Sequence, residues 1–271
     1  MNIEALSGLP AMGVYHSLEE TLEAIVLSLP QQENILVDNY VAKEELAILR
    51  AIAQKHQRKI TLGDTALLGR KSGYTAVVVA YPNCEGNVED YSDLGDSLQQ
   101  EGIRFIISCQ AQALPLLKSP ASMGADTAYF ASDGEWFCCS KQASGSPSLA
   151  LPEIETGKEL AARLHGMCAY LNDALEVYGY EQENNAFFDT LKIRLPQTCN
   201  QASFKDLAQD YELAYQPLDE DYILLRILPE DDNESLEAII DCLAQAGGNF
   251  GVPVNEEDWS SICALDASLL R

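Results

Sequence analysis

Three histidines, eight cysteines and one glycine-bounded basic loop are the residues of this chain whose types and spacing invite chemistry. The loop, "GDTALLGRKS" from Gly63 to Ser72, has the parts of a phosphate cradle. A phosphate loop needs its backbone amides in one fixed nest ahead of the lysine, but here the spacing is off by one and Arg70 stands between Gly69 and Lys71. A basic connection between strands is the better reading. His16, His56 and His165 are scattered; His165 and Cys168 lie one helical turn apart, yet zinc takes three or four ligands, so the pair reads as a structural helix face and no metal site is expected. No GxSxG elbow is present for a serine nucleophile. Adjacent Cys138 and Cys139 fall on opposite faces of a strand, and a reactive thiol needs a basic neighbour that no pattern supplies. Cys84, Cys109, Cys138, Cys139, Cys168, Cys199, Cys242 and Cys263 form no CxxC pair and sit mostly within apolar patterns, as buried free thiols do, which fits a reducing compartment.

The elements that would position such groups follow from periodicity. Leu18, Leu22, Ile25, Val26 and Leu29 recur at helical spacing ahead of the apolar run "ENILVDN", so the chain opens helix then strand. A helix from about Lys43 to His56, a strand at 58–61 and the strand "YTAVVVA" ending at Pro82 come next. "SDLGDSLQQEG" predicts a short helix closed by Gly102, and "IRFIIS" a further buried strand. "MGADTAYFASDGEWFCC" from Met123 to Cys139 gives a turn, an apolar strand, two small polar residues and a second strand. Near-continuous apolar strands alternating with helices predict an α/β fold, a doubly wound, mostly parallel sheet covered on both faces.

After Cys139 the texture turns to "SKQASGSPSLALPEIETG", rich in Ser, Gly and Pro, which places a boundary near residue 152. Residues 1–152 are expected to form the large domain and 153–271 a smaller α+β domain. In the latter, Leu160, Leu164, Met167, Leu171 and Leu175 line a long helix, and "LKIRL", "FKDLAQDYE", "YILLRIL" and "ESLEAIIDCLAQAGG" give strand, helix, strand, helix. Asn233 or Ser235 is expected to cap the last helix and Gly247 and Gly248 to end it.

With 42 acidic residues against 17 basic ones, the formal charge of -25 repels a phosphate backbone, which excludes nucleic acid as a partner. No apolar run reaches the roughly 18 residues of a membrane span. The opening residues lack a signal peptide's basic start and cleavable apolar segment, so a cytoplasmic location is expected. The densest acidic groups, "LDEDY" at 218–222, "PEDDNE" at 229–234 and "NEED" at 255–258, lie in the second half, where any basic partner would dock.

As a line of text, the ordered set "VVV-YPN--G-VED", "QALPLLKSPASMGAD" and "FFDTLKIRLP" resembles the P-protein of the glycine cleavage system, the decarboxylating glycine dehydrogenase. The likeness is to its lysine-free half, the subunit 1 type, and runs from about Gly13 to Gly247. The family's long N-terminal segment is absent, which favours a decayed relative over an intact subunit. The resemblance implies the architecture of fold-type I pyridoxal-phosphate enzymes, working as a two-fold pair. The family decarboxylates glycine and passes the aminomethyl group to the lipoyl arm of the H-protein, with the cofactor ring as electron sink.

That chemistry asks for a Schiff-base lysine, a carboxylate at the pyridine nitrogen and a polar cup for the phosphate. Where the resemblance calls for the lysine, this chain reads Ala131, Ser132, Asp133, Gly134; where it calls for the carboxylate, it has Gln110. Lys118 and Lys141 are the nearest lysines and neither holds the motif position. Asn83 and Glu85 follow a strand end, where open α/β sheets place their crevice, though polar residues there are commonly turn formers. Asn83, Gln110, Ser132 and Asp133 are thus the expected lining of a vestigial pocket, with no catalytic residue and no covalently bound cofactor; pyridoxal phosphate enters only if a partner supplies the lysine. The expected role is a non-catalytic component or pseudoenzyme of the glycine cleavage system. It would pair as a homodimer, or as a heterodimer with a lysine-bearing P-protein chain, with the H-protein a further partner. The alternative is a stand-alone module binding protein or a small ligand on the same scaffold.

Overall fold

The computed structural model describes residues 3–30, 34–65, 73–143 and 157–248. The proposed boundary near 152, most of the Ser/Gly/Pro stretch, residues 66–72 of the basic loop and the acidic group at 255–258 lie outside them. The described residues form two compact units, one drawn from residues 3–84, 89–143 and 157–158, the other from residues 85–88 and 159–248.

The first unit contains α1 (Ile3–Ser7), β1 (Ala11–Tyr15), α2 (Leu18–Ser28), β2 (Asn34–Asp38), α3 (Lys43–Lys55), β3 (Lys59–Gly63), β4 (Tyr74–Tyr81), α4 (Ser92–Glu101), β5 (Arg104–Cys109), β6 (Thr127–Ser132) and β7 (Glu135–Ser140). Its seven strands lie in the order β1-β7-β6-β5-β4-β2-β3. Strands β3, β2, β4, β5 and β6 run parallel, while β7 is antiparallel to both β6 and β1. The period-2 rule sorts the sheet's two faces. Ile35, Val37, Ala76, Val78, Ile106, Tyr129 and Cys138 meet Leu22, Ile25 and Val26 of α2 and Leu46, Leu49 and Ile52 of α3 in one buried core. On the other face, Tyr91 ahead of α4 packs edge-on against Tyr81 and Phe105, at ring separations of 6.2 and 6.3 Å. Helices cover both faces, which is why the central strands read as unbroken apolar runs. The strand β1, absent from the periodicity reading, precedes the first long helix and pairs through Tyr15↔Trp136 and Val14↔Phe137.

The helix ends follow their local chemistry. Gly102 closes α4 at φ +71°, a left-handed position that glycine takes without strain. Gly95 lets α4 approach the 3-10 turn Pro120–Met123, since a Cβ there would lie 1.9 Å from the Met123 carbonyl oxygen.

The second unit contains α5 (Lys158–Val177), β8 (Thr190–Arg194), α6 (Gln201–Asp210), β9 (Gln216–Pro217), β10 (Tyr222–Arg226) and α7 (Asn233–Ala246). Its strands form an antiparallel sheet in the order β8-β10-β9. Leu191, Ile193, Ile223 and Leu225 share one buried face. Asp232, not Asn233 or Ser235, caps α7: its carboxylate accepts from the Ser235 amide at 3.0 Å, and Ser235 returns the bond in a capping box. Among the described residues no helix is long and apolar enough to cross a membrane.

Candidate functional site

Open α/β sheets bind ligands outside the carboxyl ends of their strands. In the first unit that edge gathers the ends of β1, β2, β4, β5 and β6. Strand β4 ends at Tyr81, followed by a cis peptide to Pro82 and then by Asn83, which is only 7% exposed. Tyr81 is in register with Cys109, and the Gln110 amide donates to the Tyr81 carbonyl oxygen at 3.0 Å. Asn83 and Gln110 are therefore brought to neighbouring strand ends.

Ser132 and Asp133 reach the same edge one strand further on. Pairing of β6 with β7 runs through Ala131↔Trp136 and Ser132↔Glu135, leaving Asp133 and Gly134 as a two-residue turn. Their φ values of +52° and +79° are those of a type I′ hairpin, for which Asp-Gly is the favoured pair. Ala131, Asp133 and Gly134 are exposed, and the Ser132 hydroxyl donates to the Asp133 carboxylate at 3.1 Å. The two residues bond to each other at a hairpin tip. Glu85 falls instead in the second unit, where its carboxylate pairs with Lys192 at 2.8 Å.

The two nearest lysines are engaged elsewhere. Lys118 Nζ lies 3.0 Å from the Asp90 carboxylate and donates to Ser92 Oγ at 2.6 Å. Lys141 follows β7 beside Thr127, the first residue of β6, so it stands at the opposite edge from Ser132. At about 3.3 Å per residue that separation is roughly 17 Å. It donates to the Gly124 carbonyl oxygen at 3.1 Å and pairs with Asp126 at 3.4 Å.

In the first unit, two buried acids escaped the sequence reading. Asp38, at the end of β2, is 5% exposed; its carboxylate accepts from the amides of Tyr40 at 2.8 Å and Thr65 at 3.3 Å. Glu45, on the first turn of α3, is 7% exposed and accepts from the Tyr129 hydroxyl and, at 3.0 Å, from Ser108 Oγ. Burial raises the Glu45 pKa, while the two hydroxyl bonds work in the opposite sense. The signal was present: Glu45 stands at i, i+4 and i+7 from Leu49 and Ile52, on the helix's apolar stripe. His165 is half-buried in the second unit, its ring parallel to that of Phe188 at 6.4 Å, and desolvation lowers its pKa.

The chain has the fold seen in the large domains of fold-type I pyridoxal-phosphate enzymes. It superposes on a glycine decarboxylase (P-protein) of the glycine cleavage system, solved in inhibitor-bound form, with a TM-score of 0.65 at 20% identity, covering 90% of this chain and 73% of that one. It also superposes on the ureidoglycine-glyoxylate aminotransferase of Bacillus subtilis, with a TM-score of 0.68 at 11% identity, covering 97% and 86%. Residues 16–133 match the profile of the glycine cleavage system P-protein family. The glycine dehydrogenase (decarboxylating) of Bacteroides thetaiotaomicron is 21% identical over 299 residues, covering 88% of this chain. The probable glycine dehydrogenase (decarboxylating) subunit 1 of Exiguobacterium sibiricum is 30% identical over 122 residues, 42% of this chain. The chain spans 31% and 27% of the lengths of these two relatives.

Pyridoxal phosphate suits the residues at this edge poorly. The β6–β7 turn offers a serine, an aspartate and a glycine but no amine, and the end of β5 offers Gln110, which cannot carry the charge that holds a pyridine nitrogen protonated. The described residues at these positions do not fit the cofactor.

Proposed function

We propose that this chain is a non-catalytic, P-protein-like component that keeps the sheet frame of a pyridoxal-phosphate enzyme and leaves the chemistry to a lysine-bearing chain. The β6–β7 turn carries the reading. Closed by Asp133 and Gly134 in two residues, it ties the strands in register and leaves no longer loop on which an amine could be presented. The neighbouring strand ends, with Asn83 and Gln110, keep polar character without a charged group, consistent with a vestigial pocket. In this reading residues 1–152 and 153–271 act as the large and small domains of the frame, and pairing is with a second P-protein-type chain.

A tagged full-length chain co-expressed with the lysine-bearing P-protein subunit and the H-protein of its host tests the role. Co-elution of the P-protein subunit through affinity and size-exclusion steps is expected. Elution of the chain alone, as a homodimer, would shift the reading to a stand-alone binding module. Incubation with pyridoxal phosphate followed by borohydride should leave every lysine unlabelled; a reduced lysine adduct on this chain would end the non-catalytic reading.

A further inference from the structure

We infer that the carboxyl edge of this sheet excludes phosphorylated ligands, pyridoxal phosphate included, so that in any assembly with a lysine-bearing chain the cofactor rests on that partner alone. This goes beyond the proposed role, which concerns a missing amine: a chain without a lysine could still cradle a phosphate.

In an α/β sheet the natural phosphate seats are the helix N-termini that open at the strands' carboxyl edge, where amides lack helical partners and the dipole's positive end lies. Three helices begin there among the described residues: α2 after β1, α3 after β2 and α4 in the connection after β4. Each has its head already supplied with negative charge. On α2, Ser17 Oγ accepts from the Glu20 amide at 3.1 Å, which closes one donor of the first turn, and the Glu20 carboxylate accepts from the His16 amide just before the cap at 3.1 Å. Glu19 adds a second carboxylate to that turn. On α4, Asp90 accepts from the Ser92 amide at 3.0 Å, Asp93 stands in the first turn, and Lys118, the cation at hand, is spent on Asp90.

The head of α3 lacks a side-chain cap, yet it carries Glu44 and Glu45 against the single Lys43, and the buried Asp38 ends the strand that feeds it. The position level with the β6–β7 turn is the α2 head, because Tyr15 and Ala131 share the partner Trp136. A phosphate there would meet two glutamates and a first turn whose Glu20 amide is already bonded to Ser17. The same acids are favourable for the helices themselves, since carboxylates stabilise an N-terminus, so the exclusion accompanies ordinary fold stability.

Pyridoxamine phosphate is the discriminating probe, because it lacks the aldehyde and cannot form an imine with any lysine. The full chain is unfolded thermally with increasing millimolar pyridoxamine phosphate, and in parallel with pyridoxamine, inorganic phosphate and no addition. A ligand that binds the native state raises the midpoint with concentration. The expected result is a cooperative transition whose midpoint moves no more with the phosphorylated probe than with pyridoxamine. A saturating upward shift specific to pyridoxamine phosphate and inorganic phosphate would overturn the inference while leaving the non-catalytic role standing, which only a borohydride-trapped lysine would remove.

Discussion

Glu45 offers the most direct test of the interior of the first unit. Its carboxyl, buried between α3 and the sheet, accepts from the Tyr129 hydroxyl and from Ser108 Oγ. Burial is the dominant influence and raises its pKa in the folded state. In the unfolded chain the group returns to about 4.3. Between those two values the native state holds the proton more tightly than the unfolded state. Stability therefore falls as pH climbs from the unfolded pKa through the raised folded pKa, and is fully present below both. Glu45→Gln keeps the volume and an acceptor oxygen but removes the titration. The variant's stability relative to the parent should rise with pH across that window, by about 1.4 kcal/mol for each pKa unit by which burial raises the group.

Tyr129→Phe perturbs the same network from the other side. It removes one of the two hydroxyls bonded to the carboxyl, and leaving a buried polar group short of a partner costs about 1–3 kcal/mol. Urea unfolding of parent, Glu45→Gln and Tyr129→Phe at a series of pH values from about 4 to 9, spanning the unfolded carboxyl pKa, gives all three profiles. Parallel profiles for parent and Glu45→Gln would refute the reasoning, because a buried carboxyl with a raised pKa cannot be silent in the linkage.

Three further substitutions test local geometry. Gly134→Ala should lower stability by about 1 kcal/mol through backbone strain alone, since φ is +79° and the added Cβ meets nothing within 4 Å; an unchanged urea midpoint would contradict the type I′ turn. Gly95→Ala places a Cβ 1.9 Å from the Met123 carbonyl oxygen, so α4 must shift at a cost of about 1–3 kcal/mol, and a loss under about 0.5 kcal/mol would show that the close approach is not maintained. Asp232→Ala removes the cap of α7 and should cost about 1 kcal/mol, read by thermal unfolding; an unshifted transition would argue that α7 needs no capping box.

The central strands were legible because both faces are covered: "ILVD", "TAVVVA" and "FIIS" could be buried on each side only in a doubly wound sheet. Helix α4 was readable from Gly102, whose left-handed position marks its end. What escaped was non-local. Ala11–Tyr15 is half-buried with mixed residues, and only its pairing with β7, more than a hundred residues downstream, makes it a strand. The α7 cap also slipped by one position, because Asp232, Asn233 and Ser235 are all good cap residues and only the backbone turn decides among them. Of the four pocket candidates, strand-end position was readable for each, but the exposure of Asp133 against the burial of Asn83 was not, because it depends on how far β6 and β7 extend as a ribbon past their neighbours.

That ribbon separates the turn at its tip from the buried core. The core is secured by Tyr129, Phe130, Phe137 and Cys138 deep in β6 and β7, all buried, whereas the exposed Asp133 and Gly134 form the turn at their tip. A change at the tip leaves the buried pairs untouched, so the scaffold survives it. The Asp-Gly turn goes further than omission: its two residues take left-handed backbone, where a non-glycine side chain without Asp's local hydrogen bonding costs roughly 1–2 kcal/mol. A lysine simply substituted for Asp133 would lose that bonding with Ser132 and strain the hairpin. Presenting an amine at this edge would therefore take a longer loop, and a lysine in a longer loop would still face a sheet edge whose three helix heads carry acids in their first turns.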